Sequence, residues 1–155
     1  MFSKFKNLLK KNNVSFKIIE PDVELTASLP ECIKRLNSAG VQYDKVCNGY
    51  IVFPAKLFNG IDLMVGVHYC GVLVEYIEIF RALGYYDSPD FKINDSFNEI
   101  HDAIVSCYGK PQVATLEILN KYPSEKWINR NFVLEHYIYD RFGPEEHIHF
   151  KFLHS

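Results

Sequence analysis

Short apolar runs separated by turn signals constrain the fold of this chain more than any other feature of its sequence. Asn48-Gly49 and Asn59-Gly60 are strong hairpin signals, because both residue types tolerate the positive φ angles of tight turns. The apolar runs around them lie at 41–47, 50–53, 56–58 and 61–69. Strands joined by such short loops are antiparallel. This part of the chain is therefore predicted to form hairpin strands of an antiparallel sheet.

The β pattern continues towards the C-terminus. Residues 72–80 allow two interpretations, since Leu73, Ile77 and Phe80 have helical spacing, whereas the run is dominated by β-branched and aromatic residues. We predict a strand there. Further strands are predicted at 14–18, near 112–118, and over 131–140 and 146–153.

Two capping boxes mark the starts of helices. Ser28-Leu-Pro-Glu31 precedes apolar residues at helical spacing, and Gly40 follows where that helix should end. Ser96-Phe-Asn-Glu99 predicts a second helix over 96–108, which Gly109 should end.

These elements predict a single α+β domain over residues 1–155, with an antiparallel sheet of about six strands and helices packed on one face. The 155 residues are 48% hydrophobic, which is enough for one dense core. A further short helix near the N-terminus should dock on this domain, although a helix lying on a membrane surface would have the same pattern. The apolar residues of this N-terminal helix are Phe2, Phe5, Leu8 and Leu9.

The chain is predicted to be cytoplasmic. It has no signal-peptide pattern and no apolar run long enough to span a membrane. Its cysteines have neither disulfide-framework nor zinc-site spacing, so buried free thiols in a reducing compartment are predicted. The four cysteines are Cys32, Cys47, Cys70 and Cys107.

Charge is distributed unevenly along the chain. Residues 1–17 carry five Lys and no acidic residue, whereas the remainder carries twelve Lys or Arg and nineteen Asp or Glu. The net negative charge of this remainder does not favour nucleic-acid binding, which needs clustered Lys and Arg. It suits a basic protein partner, and solubility alone would also explain it.

The last two strands predict a surface of Tyr and His side chains. Alternation places Tyr137 and Tyr139 on the face away from the core, together with His147 and His149 of the next strand. With Phe142-Gly143-Pro144 as the turn, the predicted pairs are Tyr139 with His147, Tyr137 with His149 and Glu135 with Lys151. Tyr patches are enriched at protein interfaces, and an ordinary solvated sheet face is the other interpretation.

His147 and His149 also form the pattern with most metal-ligand character, since two His on one strand face can share an ion. Asp140 should lie on the opposite face of its strand, so a third ligand is missing, and no metal or cofactor is predicted. Glu145 and Glu146 should be solvated beside the turn. His101 and His136 are predicted to be packing histidines whose polar atoms have hydrogen-bond partners. Without a recognised catalytic motif, the chain is not expected to be an enzyme.

Acidic residues cluster around the second helix. Asp95, Glu99 and Asp102 fall on one side of it, and Asp87 and Asp90 precede it. The helix dipole explains acidic residues in the first turn, but it explains Asp102 and the two loop residues less well. A surplus of negative charge could steer a cationic protein partner to these five residues.

The C-terminal part of the chain resembles small bacterial immunity proteins, which accompany contact-dependent inhibition and other polymorphic toxin systems. The residues that carry the resemblance are Ser96-Phe-Asn-Glu-Ile100, Cys107-Tyr-Gly-Lys-Pro111, Trp127 and Leu134-Glu-His-Tyr-Ile-Tyr-Asp-Arg-Phe-Gly143. The resemblance implies a non-enzymatic protein that binds a cognate toxin domain and blocks its active site. A monomer or weak homodimer is expected. Many such toxins are nucleases with cationic clefts. The alternatives are a small metal-dependent hydrolase using His147 and His149, and a structural adaptor.

Overall fold

Ten strands and two helices make up the part of the chain that the computed structural model describes, residues 14–47, 49–116 and 122–153. The strands are β1 (Phe16–Ile18), β2 (Val23–Leu25), β3 (Asp44–Val46), β4 (Tyr50–Leu57), β5 (Ile61–Cys70), β6 (Leu73–Phe80), β7 (Val113–Leu116), β8 (Pro123–Ile128), β9 (Phe132–Asp140) and β10 (Pro144–Phe152). The helices are α1 (Leu29–Ser38) and α2 (Ile93–Tyr108), and a 3₁₀ turn spans Tyr85–Asp87. The helix predicted around Phe2, Phe5, Leu8 and Leu9 lies outside the described residues.

Eight strands form one sheet in the order β3-β4-β5-β6-β10-β9-β8-β7, and every neighbouring pair is antiparallel. The sheet consists of two four-stranded meanders, β3 to β6 and β7 to β10, which α2 connects along the chain. Pairing of β6 with β10, with Ile79 opposite Ile148, joins the two meanders. Strands β1 and β2 form a separate hairpin. The predicted α+β class with an antiparallel sheet is confirmed, although the large sheet has eight strands rather than about six.

One face of the large sheet is apolar, because side chains alternate between the two faces along each strand. In β5, Ile61, Leu63, Val65 and Val67 are buried, whereas Asp62 is exposed. Buried residues of α1, α2 and the β1–β2 hairpin join this inner face in one hydrophobic core. The opposite side of the sheet, which we call the outer face, carries the more polar half of the alternation.

Several local signals in the sequence are confirmed. The Ser28 hydroxyl accepts a hydrogen bond from the backbone N–H of Glu31 at 3.5 Å, as the first capping box predicts. Gly40 follows α1 with a φ of +71°. The segment predicted as a strand at 72–80 is β6, and the turn at Asn59-Gly60 joins β4 to β5. Asn48 of the other turn signal lies outside the described residues.

Strand β4 merges two apolar runs that the sequence separates at Pro54. Proline lacks a backbone N–H and is tolerated in a strand only where no partner needs that donor. Strand β3 pairs with residues 50–52 of β4 and does not reach Pro54. Two predicted runs therefore form one continuous strand.

Helix α2 begins at Ile93, three residues before the start that the second capping box predicts. Ser96 lies within the helix and is buried, where its hydroxyl accepts a hydrogen bond from Arg81 and donates one to Glu146. Serine caps a helix only when its side chain turns back to the local backbone. Here the buried side-chain partners take its hydrogen bonds instead.

The prediction of buried thiols is wrong for three of the four cysteines. All four are free, but Cys47, Cys70 and Cys107 are exposed and only Cys32 is buried. The Cys32 thiol donates a hydrogen bond to the Thr26 carbonyl at 3.2 Å. Within the described residues, no helix is long and apolar enough to cross a membrane.

Candidate functional site

The outer face carries a continuous set of aromatic and imidazole rings, which we call the ring row. Its members lie on five adjacent strands, from β4 through β5, β6 and β10 to β9. Each ring is half-buried, because its neighbours on the sheet shield it. The six residues of the ring row are Tyr50, His68, Tyr76, His149, Tyr137 and His147.

Neighbouring rings in the row are in contact from one end to the other. The centroid distances are 4.5 Å for Tyr50–His68, 4.2 Å for His68–Tyr76, 5.2 Å for Tyr76–His149, 5.8 Å for His149–Tyr137 and 5.3 Å for Tyr137–His147. Ring pairs prefer offset-stacked or edge-to-face contacts at such separations. The rings therefore hold one another in place across the face.

The pairing of β9 with β10 differs by two residues from the predicted register. Tyr137 lies opposite His147, where the sequence predicts Tyr139, and Tyr139 lies opposite Glu145. A shift of two keeps every side chain on its face of the sheet. The predicted Tyr/His face is therefore confirmed for Tyr137, His147 and His149. Tyr139 is exposed at the margin of this face and outside the ring row.

The turn between β9 and β10 causes the difference in register. The structure places Arg141-Phe142-Gly143 in the turn, rather than the predicted Phe142-Gly143-Pro144, because Asp140 already pairs with Pro144. The Asp140 carboxylate accepts a hydrogen bond from the Gly143 N–H at 3.2 Å. Gly143 has a φ of +124°, which other residues rarely adopt.

Two carboxylates lie among the rings. Glu78 Oε2 is 2.8 Å from His68 Nε2. Glu135 forms ion pairs with Lys126 at 2.8 Å and with Lys151 at 3.1 Å, so Lys151 reaches it although the two residues are not directly opposite. Burial alone would raise the pKa of Glu135, but the two ammonium groups outweigh it and hold this pKa below its usual range.

Burial favours the uncharged form of two rings in the row. It lowers the pKa of His149, mainly because desolvation disfavours the imidazolium ion. Burial also raises the pKa of the Tyr137 hydroxyl, and the nearby Glu135 carboxylate adds to that effect. Near neutral pH both rings are therefore predominantly neutral.

Three side chains of the outer face bring together donor atoms of the kinds that metal ions prefer. One donor atom from each of Glu78, His147 and His149 lies within 4.8 Å of the other two. Glu78 belongs to β6, where it is directly opposite His149 of β10. The expectation that His147 and His149 lack a third ligand is therefore wrong. The missing carboxylate comes from the other meander and not from Asp140.

The five acidic residues predicted to attract a partner are all exposed, but they lie away from the ring row. Glu99 is partly neutralised, because the buried Arg81 binds its carboxylate. Helix α2 packs on the inner face, where Phe97 stacks on His136 with centroids 3.9 Å apart, whereas Tyr137 points to the outer face. One flat contact cannot cover both surfaces. The five residues are Asp87, Asp90, Asp95, Glu99 and Asp102.

A buried polar network lies between α2 and the inner face. One oxygen of Glu146 is 2.8 Å from His136 Nε2, and the other accepts a hydrogen bond from Ser96. Arg81 Nε donates to the Ser96 hydroxyl at 3.0 Å. The prediction of a solvated Glu146 is wrong, because alternation along β10 turns its side chain inwards. Glu145, the adjacent residue, is exposed as predicted.

The network lacks the geometry of a nucleophilic serine. In a Ser-His-Asp triad the serine hydroxyl contacts a histidine, which acts as its direct base. Here Ser96 contacts Glu146, and His136 lies beyond that carboxylate. All three residues are buried, so a substrate has no route to the hydroxyl. We therefore assign the network a structural role.

Glu125 of β8 extends this network to His101 in the middle of α2. Its Oε2 atom is 2.8 Å from His101 Nδ1 and 3.7 Å from His136 Nδ1. Burial alone would raise the pKa of Glu125, but its interactions with His136 and His101 outweigh burial and lower it. The carboxylate contact of His101 agrees with the predicted satisfied histidine, whereas the buried His136 Nδ1 has no hydrogen-bond partner among the described residues.

The lowered pKa of Glu125 predicts a pH-dependent contribution to stability. A carboxyl group whose pKa is lower in the folded state stabilises the fold above its unfolded-state pKa, and this contribution is lost as the pH falls through the folded-state value. Glu125→Gln should therefore destabilise the protein at neutral pH, and its deficit should shrink below about pH 4.5. Urea unfolding of both proteins across this range measures the difference. A deficit that stays constant into the acid range would contradict the assignment.

Half of the ring row was not predicted from the sequence. Tyr50, His68 and Tyr76 belong to the first meander, and so does Glu78. Alternation within each strand assigns these residues to a face. Alternation does not say which strands are neighbours. The contact of these four residues with the C-terminal hairpin was therefore not predicted.

No protein-family model, curated protein or solved structure matches this chain. The function is therefore inferred from the geometry of the described residues.

Proposed function

We propose that the chain is a stoichiometric binding protein of the immunity type, which neutralises a cognate toxin domain through the outer face of its sheet. The ring row carries this proposal, because it presents six contacting rings across five adjacent strands. Tyr residues are enriched at protein interfaces, where a rigid ring supplies a large contact area at a low entropic cost.

Order within the ring row favours binding. Association costs free energy for each side chain that becomes immobilised at the interface. Tyr137 already contacts His147 and His149, and Tyr76 already stacks on His68 with an interplanar angle of 12°. These side chains are therefore already ordered in the unbound chain, and binding costs less conformational entropy.

The charge of the outer face suits a cationic partner. Glu78 and Glu145 each contact a histidine, and within the described residues neither forms an ion pair with Lys or Arg. Asp62, by contrast, is paired with Lys56 at 3.1 Å. Carboxylates without a cationic partner attract positively charged groups of another protein. A toxin domain with a basic cleft has this chemistry.

Loss of the Tyr137 ring should weaken binding to the toxin domain. We expect Tyr137→Ala to reduce affinity at least tenfold, which is about 1.4 kcal/mol, because truncation removes the ring that contacts both His147 and His149. The partner to use is the cognate toxin domain, which we expect to be encoded in the neighbouring gene. Calorimetric titration of purified proteins measures the affinity, and survival of cells that express the toxin measures neutralisation.

Matched variants separate the outer face from the acidic residues. Tyr86→Ala removes a similar ring on the side of α2 and should leave affinity unchanged. Asp95→Lys with Asp102→Lys reverses charge on α2 and leaves both members of the Arg81–Glu99 ion pair in the chain. If the double variant weakens binding and Tyr137→Ala does not, the partner binds the acidic side and the proposed surface is wrong.

A second copy of this chain is the alternative occupant of the outer face. Mass measurement in solution distinguishes it, because a homodimer through this face would dissociate in Tyr137→Ala. A monomeric wild type that binds the toxin domain supports the proposal. If the wild type is a dimer and does not bind the toxin domain, the outer face serves self-association and not neutralisation.

A further inference from the structure

We propose that Glu78, His147 and His149 bind one divalent transition-metal ion of the zinc class. One carboxylate and two imidazoles are a donor set found in zinc and non-haem iron sites. The inference concerns the chain alone, so it stands or falls independently of any protein partner.

Strand geometry brings the three donors together. His147 and His149 are two residues apart on β10, so both project from the same face. Glu78 lies directly opposite His149 on β6. The donor atoms are within 4.8 Å of one another. Around a tetrahedral zinc ion with bonds of about 2.0–2.2 Å they would be roughly 3.4 Å apart. Rotations of the side chains can close that difference without moving the strands.

Neighbouring side chains hold the proposed ligands in position. His68 Nε2 contacts Glu78 Oε2 at 2.8 Å, which orients the carboxylate and leaves its second oxygen for an ion. Tyr137 stacks on the His147 ring and meets the His149 ring edge-on. A hydrogen-bonding partner that orients a ligand, as His68 does for Glu78, is typical of metal sites and strengthens binding.

The surrounding charges also permit a cation. Lys151 is the nearest ammonium group on β10, and Glu135 binds it at 3.1 Å. Glu145 lies 3.5 Å from His147 and adds a further negative charge beside the site. Three protein ligands leave a coordination position that faces outwards from the sheet, as in zinc sites that keep a water molecule.

Metal titration of the full chain, purified without a histidine tag, tests the proposal. Calorimetry with ZnCl₂ should give one ion per chain, and CoCl₂ should produce visible absorption from a low-symmetry site. Glu78→Gln, His147→Asn and His149→Asn should each weaken zinc binding at least tenfold and reduce the cobalt absorption, because each removes one ligand. Circular dichroism of each variant establishes that the fold is retained.

His101→Asn is the matched control, since His101 is a partly exposed histidine with a carboxylate contact on the helix side of the sheet. It should bind zinc as tightly as the wild type. Absence of stoichiometric zinc binding by the wild type would overturn the proposal. So would unchanged affinity in the three ligand variants, or a loss in His101→Asn as large as theirs.

Discussion

Replacing Glu146 with alanine is expected to lower the free energy of unfolding by about 3–5 kcal/mol. Glu146 is only 5% exposed, and its two carboxylate oxygens contact His136 and Ser96. Without it, His136 Nε2 lies in the core with no acceptor, and the buried Arg81 loses a nearby negative charge. A buried polar group left without its partner costs more free energy than an exposed one, because water cannot replace the lost bond.

Glu145→Ala is the matched control for this variant. The adjacent side chain is 67% exposed, so its removal should change the free energy of unfolding by no more than about 0.5 kcal/mol. Urea unfolding followed by the fluorescence of Trp127, the single tryptophan, measures both variants. In the Glu146→Ala background, His136→Ala should cost less than it does in the wild type, because the two residues interact directly. Equal losses for Glu145→Ala and Glu146→Ala would contradict the network.

Phe150→Ala is expected to be about as damaging, with a loss of about 3–5 kcal/mol. Phe150 is fully buried on β10 at the centre of the inner face. Its ring lies 4.9 Å from Phe16 of the small hairpin, 4.9 Å from Phe132 of β9 and 5.1 Å from Phe152. Truncation would leave a cavity bordered by three rings from different parts of the core, which cannot all move to fill it.

Phe142→Ala provides the comparison, because this ring is 90% exposed in the β9–β10 turn. Its removal should leave the midpoint of urea unfolding close to that of the wild type. A loss below about 1 kcal/mol for Phe150→Ala would show that the core tolerates the cavity and that this packing has been misjudged.

The parts of the fold that the sequence predicted correctly depend on neighbours in the chain. The cap at Ser28 and the turn at Asn59-Gly60 each arise within a few residues, so local chemistry determines them. Assignment of Tyr137, His147 and His149 to one face also needed only the alternation of a single hairpin. Strand alternation is insensitive to an error of two residues in register, which is why the faces were correct and the pairs were not.

The remaining features depend on contacts between distant segments. Ser96 begins a capping-box sequence, yet its hydroxyl forms hydrogen bonds with Arg81 and Glu146 instead. The fold makes this possible because it brings these two residues beside α2. The third of the proposed metal ligands was missed for the same reason, since Glu78 lies opposite His149 only through β6–β10 pairing. Many strand orders suit the same alternating pattern, and packing of the whole core selects one of them.

The outer face crosses the seam between the two meanders, and this links occupancy of the site to stability of the fold. The first meander provides Tyr50, His68, Tyr76 and Glu78, and the second provides Tyr137, His147 and His149. A ligand that contacts both sets binds the folded chain, whereas a chain in which β6 and β10 have separated offers only half of its site. By mass action, such a ligand at 100 times its Kd adds about 2.7 kcal/mol to the free energy of unfolding. A bound partner or a bound ion would thus hold β6 and β10 together in the middle of the sheet.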